Sequence, residues 1–384
     1  MRHFIYVCVA LLVVAWGTHV VAPLYPIYQG QFALTTRDVA LIAAMFGLAL
    51  IPTMLVAGPL SDRWGRPTLL WCGLAAFFVG DVAFAVGAGV PWLVAGRLLQ
   101  GLAMGAFFGP GAALASDLTD KSWPNMAALG VAVSSMVGFG LGPFVTGWFV
   151  QADINPTTLP FLLHAALLLV VAGLLTAALR SGPARRSDDT PSAGDSRDDP
   201  TARRLAILAG FAGWSVGGLL LVMLPTILRP VLGSSWGMLG GTALLGLMVA
   251  GAVGQITTYG WAPARALGIG ALAETLGFWL LLGGLVTGWL LLILIGVLTT
   301  GLGLASLHRG GLGLVIRATA PAHKGWAISM FLACGYFGGN FLVIAFGAAT
   351  DAFGMLVALT GYAAIFGVLL TVTGSYVLVR RPGS

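Results

Sequence analysis

Charge is what this sequence has least of. Only 8% of its 384 residues are Asp, Glu, Lys or Arg, against roughly a quarter in water-soluble domains. A soluble fold of this size cannot cover its surface with so little charge, which excludes most cytosolic enzymes, nucleic-acid binders and disordered chains. Cysteine is scarce too. Cys8, Cys72 and Cys334 stand far apart inside apolar runs, so there is no disulfide framework and no zinc spacing. A Ser-His-Asp set, metal-spaced His and Cys, and a Gly-rich phosphate loop are all missing. No enzyme activity, metal or cofactor is therefore expected. The net charge of +6 comes from short loops rather than a basic face, which points to topology and anionic lipid instead of nucleic acid.

What the chain does have is apolar residues, 58% of the total, and 56 glycines. The apolar residues fall in continuous runs of the roughly 20 residues that a helical span needs. They do not alternate as barrel strands would. Glycine suits close approach of membrane helices. The first run follows Arg2 and reaches Pro26. It is longer than a signal-peptide core and has no small-residue cleavage site, so it reads as a retained helix.

Polar breaks divide the chain into twelve expected spans, near 4–28, 39–60, 68–89, 92–115, 126–150, 159–179, 205–228, 237–258, 266–287, 289–309, 326–348 and 355–379. The weakest breaks are the turns at Gly89 and Gly288. The segment 180–204 is rich in Asp, Arg, Ser, Pro and Gly and reads as a flexible linker. It separates an N-terminal half, 1–179, from a C-terminal half, 205–384. With the N-terminus inside, sixteen of the nineteen Lys and Arg fall on the cytoplasmic side, only Arg37 and Arg229 fall outside, and Arg97 lies in a span. Both termini and the linker are thus expected to be cytoplasmic. An internal repeat at an offset near 200 pairs Gly101, Thr119 and Gly138 with Gly301, Thr319 and Gly338. The expected architecture is all-α and integral to the membrane, with two pseudo-symmetric six-helix halves. Halves related in this way, with a site between them, are a transporter plan.

Three strings stand out. Gly58-Pro59-Leu60-Ser61-Asp62-Arg63-Trp64-Gly65-Arg66-Pro67 follows the second span. Its glycines allow a tight turn, and its carboxylate suits a helix N-terminus or a neighbouring cation. Arg97-Leu98-Leu99-Gln100-Gly101-Leu102-Ala103 lies in the fourth span, followed by Ala115-Ser116-Asp117-Leu118-Thr119. Gly138-Phe139-Gly140-Leu141-Gly142-Pro143-Phe144-Val145-Thr146-Gly147 lies in the fifth. There Pro weakens the helix and small residues let it pack closely.

The first string resembles the signature loop of the major facilitator superfamily, and helix count, linker and repeat fit that family over essentially the whole chain. The resemblance implies that Gly58, Asp62, Arg63, Gly65 and Arg66 help latch the halves on the cytoplasmic side. The matching loop of the second half, 259–265, lacks the Asp and keeps only Arg265. The second string is similar to a motif associated with proton-coupled members, with Ala103 in place of a Gly. The third resembles the family's antiporter motif at Gly138, Gly142, Pro143 and Gly147, with Thr146 in place of a Gly. The implied protein is a multi-pass, monomeric transporter of the cytoplasmic membrane that exports a small organic compound, a drug or metabolite, in exchange for protons. A symporter importing a sugar, organic acid or other nutrient is the alternative. A membrane enzyme and a transport-dead sensor are remote ones.

An ionisable group at the centre of a span costs at least roughly 2.5–3.5 kcal/mol, so each defaults to a functional reading. Asp81 and Arg97 lie eight residues before and after Gly89, at matched depth about 12 Å from the turn. The expectation is an ion pair, with Arg97 keeping Asp81 charged. Glu274 has no cation at its depth and small neighbours at Gly270, Ala271 and Gly277. Its carboxyl is expected to carry a proton and to face another helix. His19 suits proton exchange, since imidazole titrates near about 6.5. Asp81, Arg97, Glu274 and His19 are the proton-coupling candidates, with structural pairs as the competing reading. His164, near the end of its span, reads as structural. By resemblance, spans one, four, seven and ten border the substrate cavity. They supply Trp16, Tyr25, Gln100, Phe107, Phe108, Trp214 and Thr300. With no acidic cluster there, amphipathic or moderately polar compounds fit better than highly charged cations.

Overall fold

The computed structural model describes residues 2–119, 126–180, 198–233, 236–320 and 323–380. Among these the chain is helical throughout, with no strand. The helices are α1 (Arg2–His19), α2 (Tyr25–Phe32), α3 (Thr36–Trp64), α4 (Arg66–Val86), α5 (Val90–Asp117), α6 (Met126–Ala152), α7 (Leu159–Leu179), α8 (Pro200–Leu232), α9 (Trp236–Thr257), α10 (Pro263–Thr287), α11 (Leu290–Arg317), α12 (Lys324–Phe353) and α13 (Met355–Arg380). A short 3₁₀ turn, Ala22–Leu24, separates α1 from α2. Counting α1 and α2 as one, twelve stretches are long and apolar enough to cross a membrane. Most of the expected linker, 181–197, and Lys121 lie outside the described residues.

Two expectations change at element boundaries. The first span is not one helix. Pro23 has no N–H to give to the turn before it, and the helix yields there. The signature string is not a loop through its length. α3 runs on to Trp64 and includes Pro59, so the link to α4 is the single residue Gly65, whose φ is +84°. Only glycine adopts that angle without strain. Pro67 then opens α4, where a missing N–H costs nothing. The turns at Gly89 and Gly288 fall where expected.

The chain forms two compact units. The first is Met1–Leu34, Leu41–Asp188 and Leu232–Leu245. The second is Thr35–Ala40, Asp189–Val231 and Gly246–Ser384. The same pairing order recurs inside each. In the first, α1 packs on α6, α4 on α5, and α4 on α7. In the second, α10 packs on α11 and on α13, and α8 lies against α12 so closely that a Cβ on Gly218 would meet the Gly339 backbone. The repeat glycines mark equivalent contacts. Gly138 of α6 faces the Leu12 carbonyl and Ala15 of α1, while Gly338 of α12 faces the Phe211 carbonyl and Ser215 of α8. Gly101 faces α3 at Phe46, and Gly301 faces α9 at Leu247. Thr119 and Thr319 each return a hydroxyl hydrogen bond to the carbonyl four residues back.

A further period appears in the antiparallel pairs. Gly270, Gly277 and Gly284 of α10, spaced by seven, meet the backbone of Leu307, Thr300 and Ile293 of α11. In return Gly296, Gly303 and Gly310 meet Leu281, Glu274 and Leu267. Gly73 and Gly80 of α4, and Gly87 just past its end, likewise sit close against Phe107, Leu99 and Trp92 of α5. A seven-residue repeat keeps one helix edge on a seam, and glycine there lets two backbones touch.

Candidate functional site

The glycine seams decide where the ionisable side chains go. Asp81 and Arg97 each follow a seam residue, Gly80 and Gly96. One residue further along a helix is about 100° further around it. The two side chains therefore turn to different partners, and the expected Asp81–Arg97 pair does not form. Matched spacing from a turn does not by itself set direction around the helix.

Asp81, fully buried, meets His164 of α7 instead, Oδ2 to Nδ1 at 2.6 Å. The other imidazole nitrogen, Nε2, lies 2.9 Å from the Val13 carbonyl of α1. His164 fills the space where a Cβ on Gly17 would stand. Arg97 donates to the Thr18 carbonyl at 2.7 Å, to Gln100 Oε1 at 3.0 Å and to the Ala43 carbonyl at 3.3 Å. Its guanidinium also covers the Phe46 ring, 4.7 Å from the centroid. Gln100 in turn donates to the Gly17 carbonyl at 3.3 Å. The last turn of a helix has carbonyls without helical partners, and near the end of α1 these side chains supply them. Asp81 Oδ1 and Arg97 Nε have no hydrogen-bond partner among the described residues. His19 stands edge-on to Phe139 with centroids 5.4 Å apart.

In the second unit Glu274 is fully buried, and neither carboxyl oxygen has a partner among the described residues. It faces α8, where a Cβ on Gly213 would lie 2.9 Å from Oε2. Gly303 of α11 meets its backbone. The small neighbours thus do bring it against other helices.

The cavity candidates divide by burial. Trp16, Phe108 and Trp214 remain partly exposed. Tyr25, Gln100, Phe107 and Thr300 are buried, so here they pack the interior of their units. The Trp214 indole N–H donates to His308 Nδ1 at 2.9 Å, a partnership that the sequence did not reveal. His164 was likewise passed over as a structural residue. For both, the available signal was rarity: any imidazole within an apolar span needs a partner.

Of the signature string, Gly58 lies within α3 with open space around it, Arg63 is exposed, and the Asp62 side chain lies outside the described residues. Arg66 pairs with Asp117 at the end of α5, and the Asp117 side chain is only 3% exposed. The second partner came from the string after span four. Removing Arg66, itself partly exposed, leaves the buried Asp117 carboxylate without its cation. A double-mutant cycle of Arg66→Ala and Asp117→Ala, read by thermal unfolding in detergent, is therefore expected to give a coupling of about 1–3 kcal/mol. Additive losses would show that the pair contributes nothing. In the antiporter-like string, Gly142 faces the Trp16 carbonyl, Pro143 sits inside α6, and a Cβ on Gly147 would meet the Gly237 backbone, in the part of α9 that belongs to the first unit.

Comparison with known proteins places this geometry. The family model described as Major Facilitator Superfamily matches residues 7–263. Multidrug resistance protein 1 of Bacillus subtilis (strain 168) is 30% identical over 173 residues, 44% of this chain and 43% of that one. Quinolone resistance protein NorA of Staphylococcus aureus is 28% identical over 153 residues, 39% of this chain and 38% of that one. The chain thus spans less than half the length of the curated relatives it matches. Among solved structures, a D-xylose-proton symporter superposes with a TM-score of 0.78 at 15% identity, covering 98% of this chain and 96% of that one. A bacterial homolog of the human lysosomal transporter Spinster, inward-facing and occupied, gives 0.73 at 16% identity, covering 99% and 96%. At such identities these structures speak for the fold alone.

Proposed function

The chain belongs to the major facilitator superfamily, and from that premise we propose that it exports a small organic compound from the cell in exchange for protons. Two of its relatives are a multidrug resistance protein and a quinolone resistance protein, which supports export of an amphipathic molecule. Partial exposure of Trp16, Phe108 and Trp214 supports aromatic contact with it.

The observation that carries proton coupling is Glu274. Exchange driven by a proton gradient needs a group that changes protonation, and a buried carboxyl with no fixed partner is free to do so. In the first unit, Asp81, Arg97 and His19 are proposed as the coupling set. Arg stays charged, so Arg97 serves to hold α1 and to set the local field rather than to carry a proton. Arg66 with Asp117 is proposed to steady the cytoplasmic ends of α4 and α5 and, with Asp62 and Arg63, to govern the balance between conformations. The excess of Lys and Arg at one set of ends supports cytoplasmic termini in the cytoplasmic membrane.

Vesicles containing the purified chain and an imposed proton gradient test the reading, with the fluorescent quinolone norfloxacin as probe. Norfloxacin should move against the direction of the protons and collapse the gradient only where the protein is present. Movement together with the protons would make the protein a symporter and overturn the proposal.

A further inference from the structure

Among the described buried titratable groups, His164 is one that the proposed coupling set leaves out. It stands on α7, touches Asp81 of α4 and grips α1 by the Val13 carbonyl. We propose that Asp81 and His164 form a single two-residue proton site whose protonation controls the hold on α1. The proposal deepens the export reading and rests on it for its transport consequence.

The hydrogen positions follow from the partners. A backbone carbonyl only accepts, so Nε2 facing Val13 must carry a hydrogen. The 2.6 Å contact between Nδ1 and Asp81 Oδ2 then holds one shared proton. That proton sits either on the imidazole, giving an imidazolium beside a carboxylate, or on Oδ2, giving two neutral groups. Both arrangements contain the same number of protons and have no net charge. Removing the shared proton leaves two lone pairs facing each other at hydrogen-bond distance and one uncompensated negative charge in a fully buried place. The pair must then separate. Adding a proton is also possible, because Asp81 Oδ1 has no partner among the described residues. Two groups this strongly linked titrate as one unit.

Among the described residues, the surroundings bring no other charged group onto the pair. Arg97, the permanent cation brought by α5, is committed to Thr18, Gln100 and Ala43, and Gln100 stands beside Asp81. From α1 and α2, His19 and Tyr25 lie within the field of Arg97. α7 brings no ionisable side chain except His164, and α4 otherwise carries only Arg66 and Cys72, near its start. The grip falls where the first span is weakest. Val13, Gly17 and Thr18 are the carbonyls held, and α1 ends at His19. When the shared proton leaves, His164 and Asp81 part, and the hold on Val13 slackens about two turns before the break. A gradient-driven proton thereby reaches the helix that carries Trp16 and His19.

The test uses the full chain in lipid vesicles with isotope-labelled histidine and aspartate. Nitrogen NMR identifies His164 in the wild type as the histidine in contact with an aspartate carboxyl. Its Nε2 should carry hydrogen at every pH across the neutral range. Asp81→Asn should shift the titration of His164 by about one pH unit or more, tenfold in proton affinity. In norfloxacin flux, His164→Gln and Asp81→Asn should each displace the pH profile, and the double variant should match the single ones rather than sum them. An Nε2 without hydrogen in the wild type, identical His164 titrations with and without Asp81, or additive displacements would each overturn the dyad. The NMR measurement needs no transport, so absence of norfloxacin flux in the wild type would sink the export reading and leave the dyad to be decided by the spectra.

Discussion

Glu274→Gln is expected to abolish proton-driven flux while leaving the protein folded. The substitution conserves shape, and both carboxyl oxygens are without partners among the described residues, so no hydrogen bond is broken. Its effect on stability should stay within about 1 kcal/mol. The amide cannot take or release a proton, and an exchanger that depends on this carboxyl then stalls. Substrate binding should change much less than transport, because Glu274 is fully buried against Gly213 and Gly303. Flux across pH in vesicles, beside binding in detergent, separates the two. Wild-type flux with a wild-type pH profile would remove Glu274 from the coupling set and leave the first unit to carry the proton alone.

The largest loss of stability should come from Gly277→Leu. A Cβ at Gly277 would stand 2.7 Å from the Gly296 carbonyl oxygen and against the Thr300 backbone. Backbone cannot swing aside as a side-chain tip can, so α10 and α11 must separate. Overpacking of this kind costs typically about 1–3 kcal/mol and sometimes more, and here a whole leucine must enter a backbone contact. Gly283→Leu on the same helix is the control, since its Cβ would meet only a Leu292 side chain at 3.5 Å. Thermal unfolding of the two purified variants should place Gly277→Leu far below the wild type and Gly283→Leu near it. Equal stabilities would show that the seam tolerates separation.

The helices were legible in the sequence because lipid imposes a simple rule. Every backbone polar group must be satisfied within its own segment, so apolar length alone marks a span. Breaks inside spans were harder. Pro23 interrupts the first one, whereas Pro59 and Pro143 leave α3 and α6 continuous, and composition does not separate these cases. Asp81, Arg97 and Glu274 were identifiable as unusual, but their partners were not. Direction around a helix depends on which edge forms the seam, and that information lay in the glycines spaced by seven. Reading Gly73, Gly80 and Gly87 as a seam would have turned Asp81 off the line of closest α4–α5 contact. It would not have named His164, which needs the packing of α7 on α4. Asp117 was found as part of a string and Arg66 as part of another, and only the fold joined them.

The separation of Asp81 from His164 along the chain has a consequence for biogenesis. The two are 83 residues apart, and ribosomes add roughly 5–20 residues per second. Asp81 therefore waits roughly 4–17 s for its imidazole, and α4 enters the bilayer before α7 exists. During that interval the carboxyl must be neutral or must remain near the insertion machinery. The α4–α7 contact through Asp81 and His164 can therefore close only after span six has been made, which makes it a late step in the assembly of the first unit.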